Sequence, residues 1–139
     1  MPVKQSPNQK KILLVEDDDS MRRFLEIVLQ RAGYNVTTAE DGLAAMEVAF
    51  DTSIDAVVSD AVMPHLTGHD LCRILRQSPE MKDVPFVILS GLEQKDSENY
   101  QDCLADAYLL KSSNISEELV NKLSELFDEN AKRLQSSDK

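Results

Sequence analysis

The stretch Val57-Val58-Ser59-Asp60-Ala61-Val62-Met63-Pro64-His65-Leu66-Thr67-Gly68 decides how the rest of the chain is read. Ile54 to Ser59 is a short apolar run with the length of a strand buried on both faces, and Pro64 and Gly68 close it with a loop. Asp60 therefore stands at the carboxyl end of a predicted parallel strand, where open α/β sheets keep their ligands. A second apolar run, Lys11-Ile12-Leu13-Leu14-Val15, also ends in acid, at Glu16-Asp17-Asp18-Asp19. Two such strands in one sheet bring up to three carboxylates into one cleft. At about 5 Å and an effective dielectric of about 20, each like-charge pair costs on the order of 3 kcal/mol. A divalent cation removes that conflict, and an all-oxygen set with two or three carboxylates suits Mg²⁺, which shares its shell with water and phosphate oxygens.

Working outward, Met21, Phe24, Leu25, Val28 and Ala32 recur at helical spacing, with Asp19 or Ser20 to cap the start and Gly33 at the C′ position. Tyr34 to Ala39 alternates like a strand, and Asp41 is placed to cap a second helix whose Leu43, Met46, Ala49 and Phe50 are expected to face inward. Beyond Gly68, Leu71, Cys72, Ile74 and Leu75 form a third amphipathic helix, and Pro79 and Pro85 bracket the link to the strand Phe86-Val87-Ile88-Leu89, which ends at Ser90. The polar segment Gly91 to Asp102 predicts a weakly anchored fourth helix. Ala107 to Leu110 reads as a fifth strand ending at Lys111. Asn114 and Glu117 have capping-box spacing for a last helix with the stripe Ile115, Leu119, Val120, Leu123, Leu126 and Phe127. Five strands alternating with five helices predict a doubly wound parallel α/β sheet covered on both faces.

The chain has 139 residues, 42% of them apolar, which predicts one domain with one core, over residues 11–128. Residues 1–10 are polar, lack an apolar signal or anchor segment, and are expected to be a flexible arm; residues 129–139 are expected to be a polar helical extension or tail. Cys72 and Cys103 lie in apolar helical patterns, where buried reduced thiols are expected, and this places the protein in the cytoplasm. A formal charge of −10 opposes approach to phosphate backbones and anionic lipid, so neither nucleic acid nor membrane is an expected partner.

Taken alone, Glu16 to Asp19 is also what a helix N-terminus favours, Ser90 is an ordinary loop serine, Tyr108 an ordinary strand aromatic, and His65 and His69 read as solvated. In combination and in order, however, Glu16-Asp17, Asp60, Met63-Pro64 with Gly68, Ser90, Tyr108 and Lys111 each end their own strand or follow it, and over residues 10–128 the chain resembles a response-regulator receiver domain, similar to the single-domain chemotaxis regulator. The resemblance implies a flavodoxin-like sheet of order 2-1-3-4-5. It implies that Asp60 takes a phosphoryl group from the phosphohistidine of a sensor histidine kinase or histidine phosphotransfer protein. Glu16, Asp17, Asp60 and the Val62 backbone carbonyl would hold Mg²⁺, Lys111 and Ser90 would contact phosphoryl oxygens, and Ser90 and Tyr108 would form the switch. Partners would read the face of the fourth helix, fifth strand and fifth helix. Such a protein is no enzyme beyond its own phosphorylation and dephosphorylation. In the family, the positions of Val62 and Leu92 tune the lifetime of the phosphorylated state.

Three departures from the family pattern stand out. Ser112 follows Lys111 where the family has proline, commonly after a cis bond; a cis bond before a non-proline residue costs roughly 2.5 to 4 kcal/mol, which bears on where Lys111 sits. Glu16 replaces aspartate, and Ser90 replaces threonine. Other readings are a receiver module of a longer regulator or hybrid kinase, a degenerate receiver acting as an adaptor, and a Mg²⁺-dependent phosphohydrolase. The last normally carries a second aspartate two residues after the nucleophile, where this chain has Val62.

Overall fold

From residue 11 to residue 90, parallel strands and crossover helices alternate as the periodicities predict. The computed structural model describes residues 9–91 and 105–137. In chain order the elements are β1 (Lys11–Val15), α1 (Asp19–Arg31), β2 (Asn35–Ala39), α2 (Gly42–Asp51), β3 (Ala56–Asp60), α3 (Gly68–Leu75), β4 (Phe86–Ser90), β5 (Ala107–Leu110) and α4 (Ile115–Ser137). The five strands form one parallel sheet in the order β2-β1-β3-β4-β5. Four helices lie among the described residues; the further helix expected between Gly91 and Asp102 falls, with Leu92 and Cys103, outside them.

Successive residues of a strand point to opposite faces, and the two apolar clusters follow that alternation. Leu13, Val15, Val57 and Ile88 pack under α2 and α3 with Ala45, Ala49, Leu71 and Leu75. Ile12, Leu14, Val58 and Val87 pack under α1 and α4 with Leu25, Leu29, Leu119 and Leu123. Because both faces are covered, β1, β3 and β4 have almost no polar interior positions, which is why they read as unbroken apolar runs.

Several expected facings are corrected. In α1, Leu25 and Leu29 are fully buried, whereas Phe24 is 46% exposed and Ala32 lies exposed past the helix end. In α2, Ala45 and Ala49 meet the sheet, and Leu43 and Phe50 are turned to solvent. Small side chains let α2 lie close to the sheet, and the i, i+4 line through the two alanines then sets the helix rotation. The cap of α1 is Asp18, whose Oδ2 accepts the Met21 N–H at 2.7 Å; Asp41 caps α2 as expected. The strand read as Ile54 to Ser59 runs from Ala56 to Asp60, so Asp60 is its last residue. Gln9 and Lys10 of the expected arm are tied down: the Gln9 amide donates to the Gly33 carbonyl, and the Lys10 ammonium lies 5.5 Å from the Phe127 ring centre. The helix α4 continues without interruption to Ser137.

The link from α3 to β4 is held by Arg76. Its guanidinium donates to the carbonyls of Val84 at 2.6 Å and Lys82 at 3.0 Å and pairs with Asp106 at 2.8 Å, and the same Asp106 oxygen accepts the Phe86 N–H at 2.8 Å. One planar cation thus fixes the start of β4 and the approach to β5. Arg76→Ala strands these acceptors and leaves Asp106 without its cation, and we expect a loss of about 2–3 kcal/mol. Urea denaturation checks this as a lower midpoint with unchanged slope.

Candidate functional site

The sheet register assembles the site. Val15 of β1 is level with Ser59 of β3, Asp60 of β3 with Leu89 of β4, and Ser90 of β4 with Leu110 of β5. Glu16, Asp60, Ser90 and Lys111 therefore emerge side by side at the carboxyl edge. The centre of this row lies between β1 and β3, where the strand order reverses and a crevice opens.

In that crevice, carboxylate oxygens of Glu16, Asp17 and Asp60 lie within 4.8 Å of one another. Glu16 and Asp60 are buried and Asp17 is exposed at the rim. The Lys111 ammonium reaches in from β5 and sits 2.9 Å from Glu16 Oε1 and 2.9 Å from Asp60 Oδ1. Glu16 is further held by the Asp18 N–H, which donates to its Oε2 at 3.2 Å, and Arg22 donates to its backbone carbonyl at 3.0 Å. Burial pushes the Glu16 carboxyl up to about 7; the hydrogen bond from Lys111 opposes this, and the Asp60 charge adds to it. Burial alone would lower the Lys111 pKa, but the hydrogen bonds that its ammonium donates to Glu16 and Asp60 outweigh burial and hold the pKa above its ordinary value. The site is thus a crowded set of carboxylates with a single charged ammonium between two of them.

The donor set fits a hard divalent cation: three carboxylates in reach of one another, all-oxygen, with one of them open to solvent, where water would supply the remaining ligands. Glu16, Asp17 and Asp60 are the side chains that would hold Mg²⁺.

The loop after Asp60 is built to leave that carboxylate in place. The Gly68 N–H donates to the Ala61 carbonyl at 2.9 Å, and a Cβ added at Gly68 would stand 2.3 Å from the Asp60 carbonyl oxygen. No side chain fits there. Thr67 caps α3 by accepting the Asp70 N–H at 3.0 Å, and Leu66 packs onto Gly42 at the start of α2. His65 has φ +73°, a left-handed conformation that histidine, like asparagine and aspartate, adopts more often than other non-glycine residues.

Lys111 is in place although Ser112 follows it. The described residues contain no cis peptide bond. The Lys111 N–H donates to the Ser90 carbonyl at 2.8 Å and the Ser112 N–H to the Leu110 carbonyl at 2.8 Å, so the backbone leaves β5 in a fixed direction. Ser90 is buried and Val62 is 53% exposed. Tyr108 is half-buried against the cluster under α2 and α3. His69, read from sequence as solvated, is buried, and its ring lies against that of Tyr108. The signal for it was its spacing: His69 stands three residues before the buried Cys72, and residues three apart are neighbours on a helix face.

A five-stranded parallel sheet of this order, with an acidic, lysine-braced cleft at its topological switch, defines a flavodoxin-like α/β protein with a carboxylate cluster at its carboxyl edge. The family model of the response regulator receiver domain matches residues 12–124, and the chain belongs to that family, the receivers of two-component signalling. It is similar in structure to the chemotaxis response regulator CheY4 of Vibrio cholerae, with a TM-score of 0.77, 30% identity, and coverage of 86% of this chain and 99% of that one. It is also similar to the receiver domain of the sensor histidine kinase PA1611 of Pseudomonas aeruginosa, which was solved with a magnesium ion in its active-site cleft; the TM-score is 0.78 and the identity 31%, covering 85% of this chain and 97% of that one. Among curated proteins, the DNA-binding dual master transcriptional regulator RpaA of Synechocystis sp. is 32% identical over 111 residues, 79% of this chain and 46% of that protein. The chain spans less than half the length of such relatives, 43% for the probable transcriptional regulator ycf27 of Cyanidium caldarium. Among the described residues, no helix is long and apolar enough to cross a membrane.

Proposed function

We propose that this protein is a phospho-accepting receiver in which Asp60 takes a phosphoryl group from a phosphohistidine of a sensor kinase or phosphotransfer protein. The observation that carries this reading is the Lys111 ammonium 2.9 Å from Asp60 Oδ1, in a cleft where Asp17 and Glu16 complete a carboxylate cluster suited to a cation. A carboxylate oxygen of Asp60 bonds to phosphorus as the donor P–N bond breaks, and the electron pair stays on the imidazole nitrogen. Bound Mg²⁺ supplies positive charge that offsets the repulsion between the site and the incoming phosphoryl oxygens. Lys111 exchanges part of its contact with Asp60 for a phosphoryl oxygen, and the Ser90 hydroxyl donates to another, so charge is met by groups already in position.

The output is a contact with another protein. Ser90, drawn toward the phosphoryl group, gives Tyr108 room to turn inward, and the β5 face with its flanking helices changes shape for a partner to read. The protein works in the cytoplasm and catalyses only its own phosphorylation and dephosphorylation. Val62, exposed at the mouth of the cleft, and Leu92 offer no hydrogen bond to orient an attacking water, so the phosphorylated state is expected to be long-lived. A second reading, the receiver segment of a longer regulator, is favoured by the share of the relatives' length that the chain spans; it uses the same site chemistry.

Intact-mass measurement after incubation with Mg²⁺ and acetyl phosphate tests the proposal. One added phosphoryl group is expected in the wild type and none in Asp60→Asn; equal gain in both would refute it. Asp17→Asn is expected to weaken Mg²⁺ binding and to slow phosphorylation in parallel, with little change in metal-free stability because Asp17 is exposed. Titration calorimetry checks this, and unchanged Mg²⁺ affinity would place the cation elsewhere.

A further inference from the structure

The cleft and the proposed switch tyrosine are joined by a side chain that the site chemistry does not use. His69 is the second residue of α3, one position beyond Gly68, whose N–H is held by the Ala61 carbonyl next to Asp60. Its imidazole is 6% exposed, and its ring lies over Tyr108 with centroids 6.2 Å apart and planes inclined by 25°. That spacing and tilt fall in the range of offset-stacked aromatic pairs. We propose that His69 is a positioning residue of the switch: it stacks on Tyr108 and passes the displacement of the loop after Asp60 directly to that ring, alongside the route through Ser90.

The physical basis is contiguity plus a two-state element. The loop from Ala61 to Gly68 is pinned at both ends, with Ala61 N–H donating to the Leu89 carbonyl at 2.8 Å and no room for a Cβ at Gly68. A phosphoryl group on Asp60 therefore cannot be accommodated by local slack at Gly68, and a shift there moves His69 with it. The bistable element is the Tyr108 rotamer, which has one arrangement half-buried against the core beneath α2 and α3. Coupling of this kind needs two discrete arrangements biased by a packed neighbour, and the stacked imidazole attracts the Tyr108 ring in a way that an aliphatic side chain of similar size does not. Burial also lowers the His69 pKa, so the neutral imidazole is the form that packs there near neutral pH.

This inference rests on the phospho-accepting reading, and its test separates the two. The protein carries three tyrosines, Tyr34, Tyr100 and Tyr108. With 3-fluorotyrosine incorporated and Tyr108 assigned through Tyr108→Phe, fluorine NMR is recorded before and after treatment with Mg²⁺ and acetyl phosphate, with intact mass measured on the same samples. Wild type and His69→Phe, which keeps a stacking ring, are expected to show the phosphorylation-dependent shift of Tyr108. His69→Leu is expected to gain the phosphoryl group normally and lose most of that shift. A His69→Leu shift equal to wild type overturns the coupling, and so does a His69→Phe variant no better than His69→Leu. Failure of the wild type to gain mass overturns the phospho-accepting reading and this inference with it. Should His69→Leu not fold, the imidazole proton signal of His69 in the wild type, assigned through His65→Asn, serves instead: it must move on phosphorylation, and an unchanged signal overturns the proposal.

Discussion

Lys111→Ala is expected to destabilise the metal-free protein by on the order of 3 kcal/mol, because it leaves two buried carboxylates without the cation between them. Glu16 and Asp60 each lie 2.9 Å from that ammonium. Burial already raises the Glu16 carboxyl, and the Lys111 hydrogen bond is the largest influence opposing that rise; without it Glu16 holds its proton to higher pH. A Mg²⁺ ion held by Glu16, Asp17 and Asp60 would compete with Lys111 for the same oxygens. The variant is therefore expected to be stabilised more by Mg²⁺ than the wild type is, and at about 100 times its dissociation constant the ion supplies about 2.7 kcal/mol. Phosphorylation is expected to slow by about 100-fold, the scale for removing one preplaced electrostatic stabiliser. Denaturant titrations with and without Mg²⁺, together with acetyl phosphate kinetics, check all three effects. Equal Mg²⁺ stabilisation of variant and wild type would show that Lys111 and the cation do not share ligands.

Gly68→Ala is expected to have an effect of similar size for a steric reason. The added Cβ falls 2.3 Å from the Asp60 carbonyl oxygen, 3.1 Å from Ser59 Oγ and 3.2 Å from Ala61 Cα. Two of those three atoms are backbone, so relief requires the loop or the end of β3 to move. Overpacking of this kind costs about 1–3 kcal/mol. The functional loss is expected to be larger, since displacing a reacting group by about 1 Å costs about 100-fold in rate. The comparison is with Gly33→Ala: an added Cβ at Gly33 meets nothing within 4 Å, but its φ of +102° strains any side chain there. That substitution is expected to lower stability while leaving phosphorylation intact. Thermal melts and phosphorylation rates for the pair separate a clash at the site from strain far from it; a Gly68→Ala protein phosphorylated at the wild-type rate would contradict the geometry.

The sequence-based reading was surest where burial on both faces left no polar alternation to misread. β1, β3 and β4 are runs such as Ile12 to Val15 and Phe86 to Leu89, and the residues that follow them are the site. Glu16, Asp17 and Asp60 could be brought together in advance because parallel strands place their carboxyl ends on one edge, and Lys111 joined them through the resemblance to receiver domains. Helix rotation was less legible. In α2, Leu43 and Phe50 are more apolar than Ala45 and Ala49, so hydrophobicity alone points the wrong way; close approach to the sheet favours the smaller residues, and that is a packing preference that a periodicity does not contain. His69 was misread because a histidine is judged by its type, whereas its burial follows from its place on the apolar side of α3 beside Tyr108. The backbone after Lys111 depended on two hydrogen bonds, to Ser90 and Leu110, that no local pattern specifies.

The central claim is that Asp60 carries the phosphoryl group, and chemical trapping tests it most directly. Borohydride reduces an acyl phosphate on aspartate to homoserine, which marks the residue permanently. After phosphorylation with acetyl phosphate and Mg²⁺ and treatment with borohydride, peptide mass mapping is expected to find homoserine at position 60 and at no other aspartate, including Asp17, Asp18 and Asp19. Homoserine at one of those residues, or its absence from a protein that has gained the phosphoryl mass, would contradict the account.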